Sequence, residues 1–109
     1  VKYLKKDKIL STISLCKRAA KLVVGFDVVK EACEKKQVQL VVVANDVSPK
    51  TLKEITFVTQ KNEIIQMQID VTMDEIWFHI SKRAGVIGIA DKGFAEKIKS
   101  LNNTIMEGN

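Results

Sequence analysis

"VQLVVVANDVSP", residues 38–49, decides the fold. Its first seven residues are apolar almost without interruption and mostly β-branched, as in a strand covered on both faces. Asn45 and Asp46 follow as turn formers. Ser48 can cap a helix, and Pro49 at the first helical position gives up no amide that the helix needs. A strand buried on both faces calls for helices on both sides of its sheet.

Working outward, the same alternation recurs. Residues 7–20 read as a helix with Ile9, Ile13, Cys16 and Ala20 on one stripe. "KLVV", 21–24, is a short strand, and Gly25 breaks it. Val28, Val29, Ala32 and Cys33 mark a second helix to about Lys36. The helix from Ser48-Pro49 turns Leu52, Ile55 and Val58 inward, with Phe57 beside them. "EIIQMQI", 63–69, is a strand. Thr72 and Glu75 form a capping box, and Met73, Ile76, Trp77 and Ile80 make the apolar face of a fourth helix. "GVIGIA", 85–90, is the last strand. A fifth helix follows with Phe94, Ile98 and Leu101 inward, and the tail from about 102 is expected to fray. The order α-β-α-β-α-β-α-β-α predicts one α/β domain over residues 1–109, a three-layer α/β/α sandwich on a small four-stranded sheet.

The chain's 109 residues suffice for a core without disulfides or metals. Cys16 and Cys33 form no C-x-x-C pair, and the single His79 cannot complete a zinc set with them, so no metal is expected. They read as small buried hydrophobes whose reduced thiols suit a cytoplasm. No secretory signal and no apolar run near the ~18 residues of a membrane span is visible. Charge is uneven: residues 1–36 carry ten Lys/Arg against four Asp/Glu, whereas residues 37–109 carry eight against nine. Basicity concentrated in the first third suggests an anionic partner such as a nucleic acid. A solvated lysine-rich helix face accounts for the same residues.

Catalytic constellations are weak. There is no glycine-rich phosphate loop, and His79 has no nucleophile placed beside it by a recognised pattern. Asp46, Asp70 and Asp91 each follow a strand and would gather at one sheet end if the strands ran parallel; they are also ordinary turn formers. The expectation is no enzyme and no cofactor.

The basic stretch carries more. Lys17, Arg18 and Lys21 lead to Gly25, and Lys30 follows. Gly25 can bring backbone close to a ligand, and the amides opening the second helix point outward as donors. Phe26 can stack on an unpaired base, and Asp27 can accept from the N–H groups of guanine. Alternatively, Gly25 ends a strand, Phe26 packs in the core, and Asp27 complements the helix dipole.

"KRAAKLVVGFDVVKEA", "LVVVANDVSPKT" and "DEIWFHISKRAGVIGIADKGFAEKI" resemble the kink-turn-binding ribosomal protein family, the L-seven-Ae and L-thirty-e superfamily, and within it the small stand-alone bacterial members. The resemblance runs from about Ile9 to Leu101 and implies a three-layer α/β/α sandwich that binds ribosomal or other structured RNA without catalysis. The family's motif Gly-x-Asn-Glu-x-x-Lys is not reproduced. With Gly25 as its glycine, Asp27, Val28 and Glu31 occupy the other positions; shifted by one, Phe26, Asp27 and Lys30 do, and Val24 replaces glycine. Neither register supplies the asparagine amide, whose donor and acceptor suit tandem G·A pairs. The resemblance also implies a second RNA-facing loop before the last strand, here "SKRAG", 81–85. Lys82 and Arg83 fit phosphates there, and Ala84 and Gly85 permit close approach. Alone, this loop also reads as a helix end with Gly85 as its cap. Two other readings stay open. One is a protein-interaction module anchored on Trp77. The other is a small-ligand binder or enzyme at the acidic strand ends.

Overall fold

The structure, a computed structural model, describes the backbone of residues 2–107 and the side chains of residues 5–102. The tail expected to fray from about residue 102 is helical in its described backbone as far as Glu107, and residues 108–109 lie outside the described range. Among the described residues nine elements follow in the predicted order: α1 (Lys2–Arg18), β1 (Leu22–Val24), α2 (Phe26–Glu34), β2 (Leu40–Val43), α3 (Pro49–Lys61), β3 (Gln66–Gln68), α4 (Met73–Ile80), β4 (Val86–Ile89) and α5 (Lys92–Glu107).

The strands form one mixed sheet in the order β1-β4-β2-β3. β4 is antiparallel to both its neighbours, with Val24 opposite Ile87 and Val43 opposite Val86. β2 and β3 are parallel. Successive side chains leave a strand on opposite faces, so β2 serves two cores at once. Leu40, Val42 and Ala44 join Ile9, Ile13, Cys16, Ile76, Ile87 and Ile98 on the face covered by α1, α4 and α5. Val41 and Val43 join Val29, Cys33, Ile55 and Val86 on the face covered by α2 and α3. The four residues of β2 are fully buried, as their unbroken apolar run requires.

Capping follows the sequence. The Ser48 hydroxyl accepts from the Thr51 amide at 3.1 Å. The Thr72 hydroxyl accepts from the Glu75 amide at 3.1 Å, while the Glu75 carboxylate accepts from the Thr72 amide at 2.9 Å. Burial pushes the Glu75 carboxyl up, but the Thr72 amide and the Lys6 ammonium at 2.9 Å outweigh it and hold it below its ordinary value.

Four expectations are corrected. Ala20 is exposed with φ 59°, beyond the end of α1 and not on its buried stripe. Trp77 is 53% exposed; Ile76 and Ile80 alone fill the buried stripe of α4, and the next position round the helix already faces solvent. Gly85 does not end α4. Ser81 does, in the left-handed region at φ 60°. Asp91 does not join Asp46 and Asp70, because β4 runs against β2 and finishes at the opposite end of the sheet.

Candidate nucleic-acid interface

Strand direction decides what meets at each end of the sheet. β1 and β2 finish where β4 begins. The Gly25 amide donates to the Val86 carbonyl at 3.0 Å, and the Ala44 amide to the Gly85 carbonyl at 2.8 Å. The opening of α2 and the loop 81–85, two stretches remote in sequence, therefore lie side by side at one sheet end.

Their two glycines do different work. Gly25 has φ 105° and ψ 150°, a conformation essentially reserved to glycine. A Cβ there would meet nothing within 4 Å, so the space before it is open. It precedes the first amides of α2, which have no partner inside the helix. Gly85 faces inward. A Cβ there would lie 2.3 Å from the Val47 side chain and 3.0 Å from the Met73 sulfur. The protein's own packing fills the room that the sequence reading assigned to an approaching ligand.

Around this end Asp27 and Lys30 are exposed, and Ala84 is half-buried. Phe26 is half-buried and packs against the α2–α3 core, so part of its ring is structural. Lys82 is exposed. Arg83 is exposed too, but its Nε donates to Asp74 at 3.0 Å. An ion pair so open to water is weak and exchangeable.

The cations of the first helix are not gathered around Gly25. The Lys17 ammonium donates to the Ile80 carbonyl at 2.6 Å, which neutralises the C-terminal end of α4. Lys21 stands at the opposite end of β1 from Gly25, where its carbonyl accepts from the Ala90 amide at 2.8 Å. Arg18 precedes it at the end of α1. Sequence proximity placed the three lysine-arginine positions beside Gly25, but a strand of three residues spans about 10 Å and carries them away.

Sequence reasoning missed Val28. It lies on the first turn of α2 and is 56% exposed, an apolar side chain at the rim of the open glycine. Counting it with Val29 as one face hid this, since only Val29 is buried.

The acids are occupied. Asp46 accepts from the Met73 amide at 3.0 Å and so caps α4; Asp70 accepts from the Asn45 side chain at 2.8 Å; Asp91 caps α5 by accepting from the Phe94 amide at 2.8 Å. Among the described residues no group of three potential metal ligands occurs. The His79 ring is exposed, and its Nδ1 donates to the Glu75 carbonyl at 3.0 Å.

A mixed four-stranded sheet in this order, with helices on both faces and two loops side by side at one end, defines a small α/β/α domain of the ribosomal-protein kind. The chain belongs to the ribosomal protein L7Ae/L30e/S12e/Gadd45 family, which it matches over residues 7–99. It is similar to the RNA-binding protein YlxQ of Enterococcus faecium, with 32% identity over 96 residues, covering 88% of this chain and 92% of that protein. It is also similar to a solved structure from Bacillus halodurans C, described as a protein with unknown function. There the TM-score is 0.81 and the identity 29%, covering 88% of this chain and 97% of the other.

Proposed function

We propose that this protein is a non-catalytic RNA-binding module, and that it grips structured or ribosomal RNA with the opening of α2 and the loop 81–85. The family and the name of the YlxQ relative support RNA as the partner. The observation that carries the choice of surface is the hydrogen bond from Gly25 to Val86, which sets the two loops against each other. In this reading Lys30, Lys82 and Arg83 hold phosphates. The α2 amides, Asp27 and Val28 meet bases or a sharply bent backbone at the open glycine. Without the motif's asparagine, a kink-turn is gripped through its bend more than through its G·A pairs. Lys17, Arg18 and Lys21 stand outside the contact set. The free, buried Cys16 and Cys33 fit a cytoplasmic setting. Among the described residues no helix is long and apolar enough to cross a membrane.

Phosphate contacts release counterions, so affinity for a structured RNA should fall with salt by a log–log slope of about 0.7–0.9 per contact. Titrating a kink-turn hairpin and a pool of ribosomal RNA fragments at about 50 and 200 mM salt tests this. Absent or salt-insensitive binding would remove the reading.

One observation favours a second reading. Trp77 and Phe78, adjacent on α4, are 53% and 80% exposed, and exposed aromatics often anchor protein contacts. A protein-interaction role predicts that a partner is captured by the native chain and lost on Trp77→Ala, with RNA binding unchanged.

A further inference from the structure

α2 and α3 lie side by side on one face of the sheet and leave between them an open groove of about 540 Å³. Helical spacing orders its walls. Lys50, Lys53, Phe57 and Lys61 follow one another along α3 at steps of three and four residues, and Phe26, Lys30 and Glu34 do so along α2. The Lys36 ammonium donates to the Asn62 carbonyl and ties the far ends of the two helices together. Phe57 is 66% exposed. Among the described residues Lys30, Lys50, Lys53 and Lys61 make no ion pair or side-chain hydrogen bond. Glu34 and Glu54 also line the groove, so its four lysines leave it net positive.

We propose that this groove takes an unpaired RNA strand running on from the sheet end, with bases stacked on Phe57 and the open edge of Phe26 and phosphates on the lysines. The inference rests on the RNA-binding reading above and extends its footprint. Three observations select this occupant. Phe26 and Lys30 belong both to the groove and to the opening of α2, so a strand leaving the first enters the second without a gap. The unpaired ammonium groups complement a polyanion. A largely exposed aromatic ring between cations offers a stacking face, which only an unpaired base can use, because a duplex keeps its base faces inside.

The test uses the full chain with two probes: a kink-turn hairpin, and an oligouridine decamer carrying 4-thiouridine for cross-linking. The decamer should bind the native chain and cross-link to Phe57 or Phe26. Phe57→Ala should weaken it about tenfold, and Lys53→Ala with Lys61→Ala should lower its salt slope by roughly 1.4; neither variant should alter hairpin binding. All these side chains are exposed, so the variants fold. Hairpin binding without decamer binding, or cross-links confined to 81–85, would overturn the groove and leave the sheet-end reading intact. Failure of both probes would overturn the two together. Binding of oligoglutamate in place of the decamer would assign the groove to an acidic protein and overturn the proposal. A dimer in sedimentation that Phe57→Ala dissolves would assign it to a second copy, with the same consequence.

Discussion

Gly25 and Gly85 stand one on each side of the hydrogen bond that joins α2's entry to β4, and they are glycines for opposite reasons: one for its backbone angles, the other for the room its missing side chain leaves. Substitutions should separate them. Gly25→Ala meets no neighbour and suffers only from φ 105°, a cost of about 1–3 kcal/mol in urea denaturation. Gly85→Ala drives a methyl into Val47, a cost of similar size. Val47→Ala should recover part of the Gly85→Ala loss and none of the Gly25→Ala loss, a coupling that a double-mutant cycle reads directly.

Lys82 and Arg83 should behave differently in RNA titrations. Lys82→Ala should remove a phosphate contact and reduce the salt slope by about 0.7–0.9. Arg83 starts from its ion pair with Asp74. Asp74→Asn frees the guanidinium and should tighten RNA binding up to about fivefold, the most an exposed pair of this kind withholds. Weaker binding by Asp74→Asn would take Arg83 out of the site.

The capping box at α4 ties stability to acid. The Glu75 carboxyl is held below its ordinary value of 4.5 in the folded chain, so its contribution is complete above that value. It is lost as pH falls below 4.5 and the carboxylate takes up a proton. Thermal denaturation followed down to about pH 3 should show this loss, and Glu75→Gln should flatten it. Thr72→Ala, which removes the acceptor for the Glu75 amide, should cost about 1 kcal/mol at neutral pH.

Cys16 is fully buried, and burial first, then the negative field of Asp91, pushes its thiol up to about 11. The thiolate is the reactive form. A colourless-to-yellow disulfide reagent at neutral pH should therefore leave Cys16 untouched in the native chain and react with it on unfolding in urea. Prompt native-state reaction would contradict the packing of α1 against the sheet.

The single tryptophan reports on α4. Emission from Trp77 should be red-shifted and quenched by acrylamide in the native protein, since half its surface is in water. A blue-shifted, protected signal would mean that a second molecule covers that face in solution.

How legible all this was in the sequence depended on the range of the interaction. The buried run of β2, the Ser48-Pro49 start and the Thr72–Glu75 box rest on neighbours a few residues apart, and each is found where its pattern put it. Strand direction depends on partners far along the chain. Three acids after three strands looked alike, and only the antiparallel pairing of β4 separates Asp91 from the other two. The same limit applies at the candidate site. Gly25 was visible as a break in the pattern. The groove between α2 and α3 was not, because the line from Lys50 through Phe57 to Lys61 acquires a partner only when α3 lies beside α2. Trp77 and Val28 failed for a smaller reason: at 100° per residue the position next to a buried one can already be wet.

The insertion of β4 between β1 and β2 has a consequence for biosynthesis. As the polypeptide emerges from N- to C-terminus, β1 and β2 share no ladder of their own, and they stay apart until Ile89 is available to bridge them. Partly made chains thus lack the paired sheet end on which the proposed RNA surface is built, and that end is completed in one late step rather than by degrees.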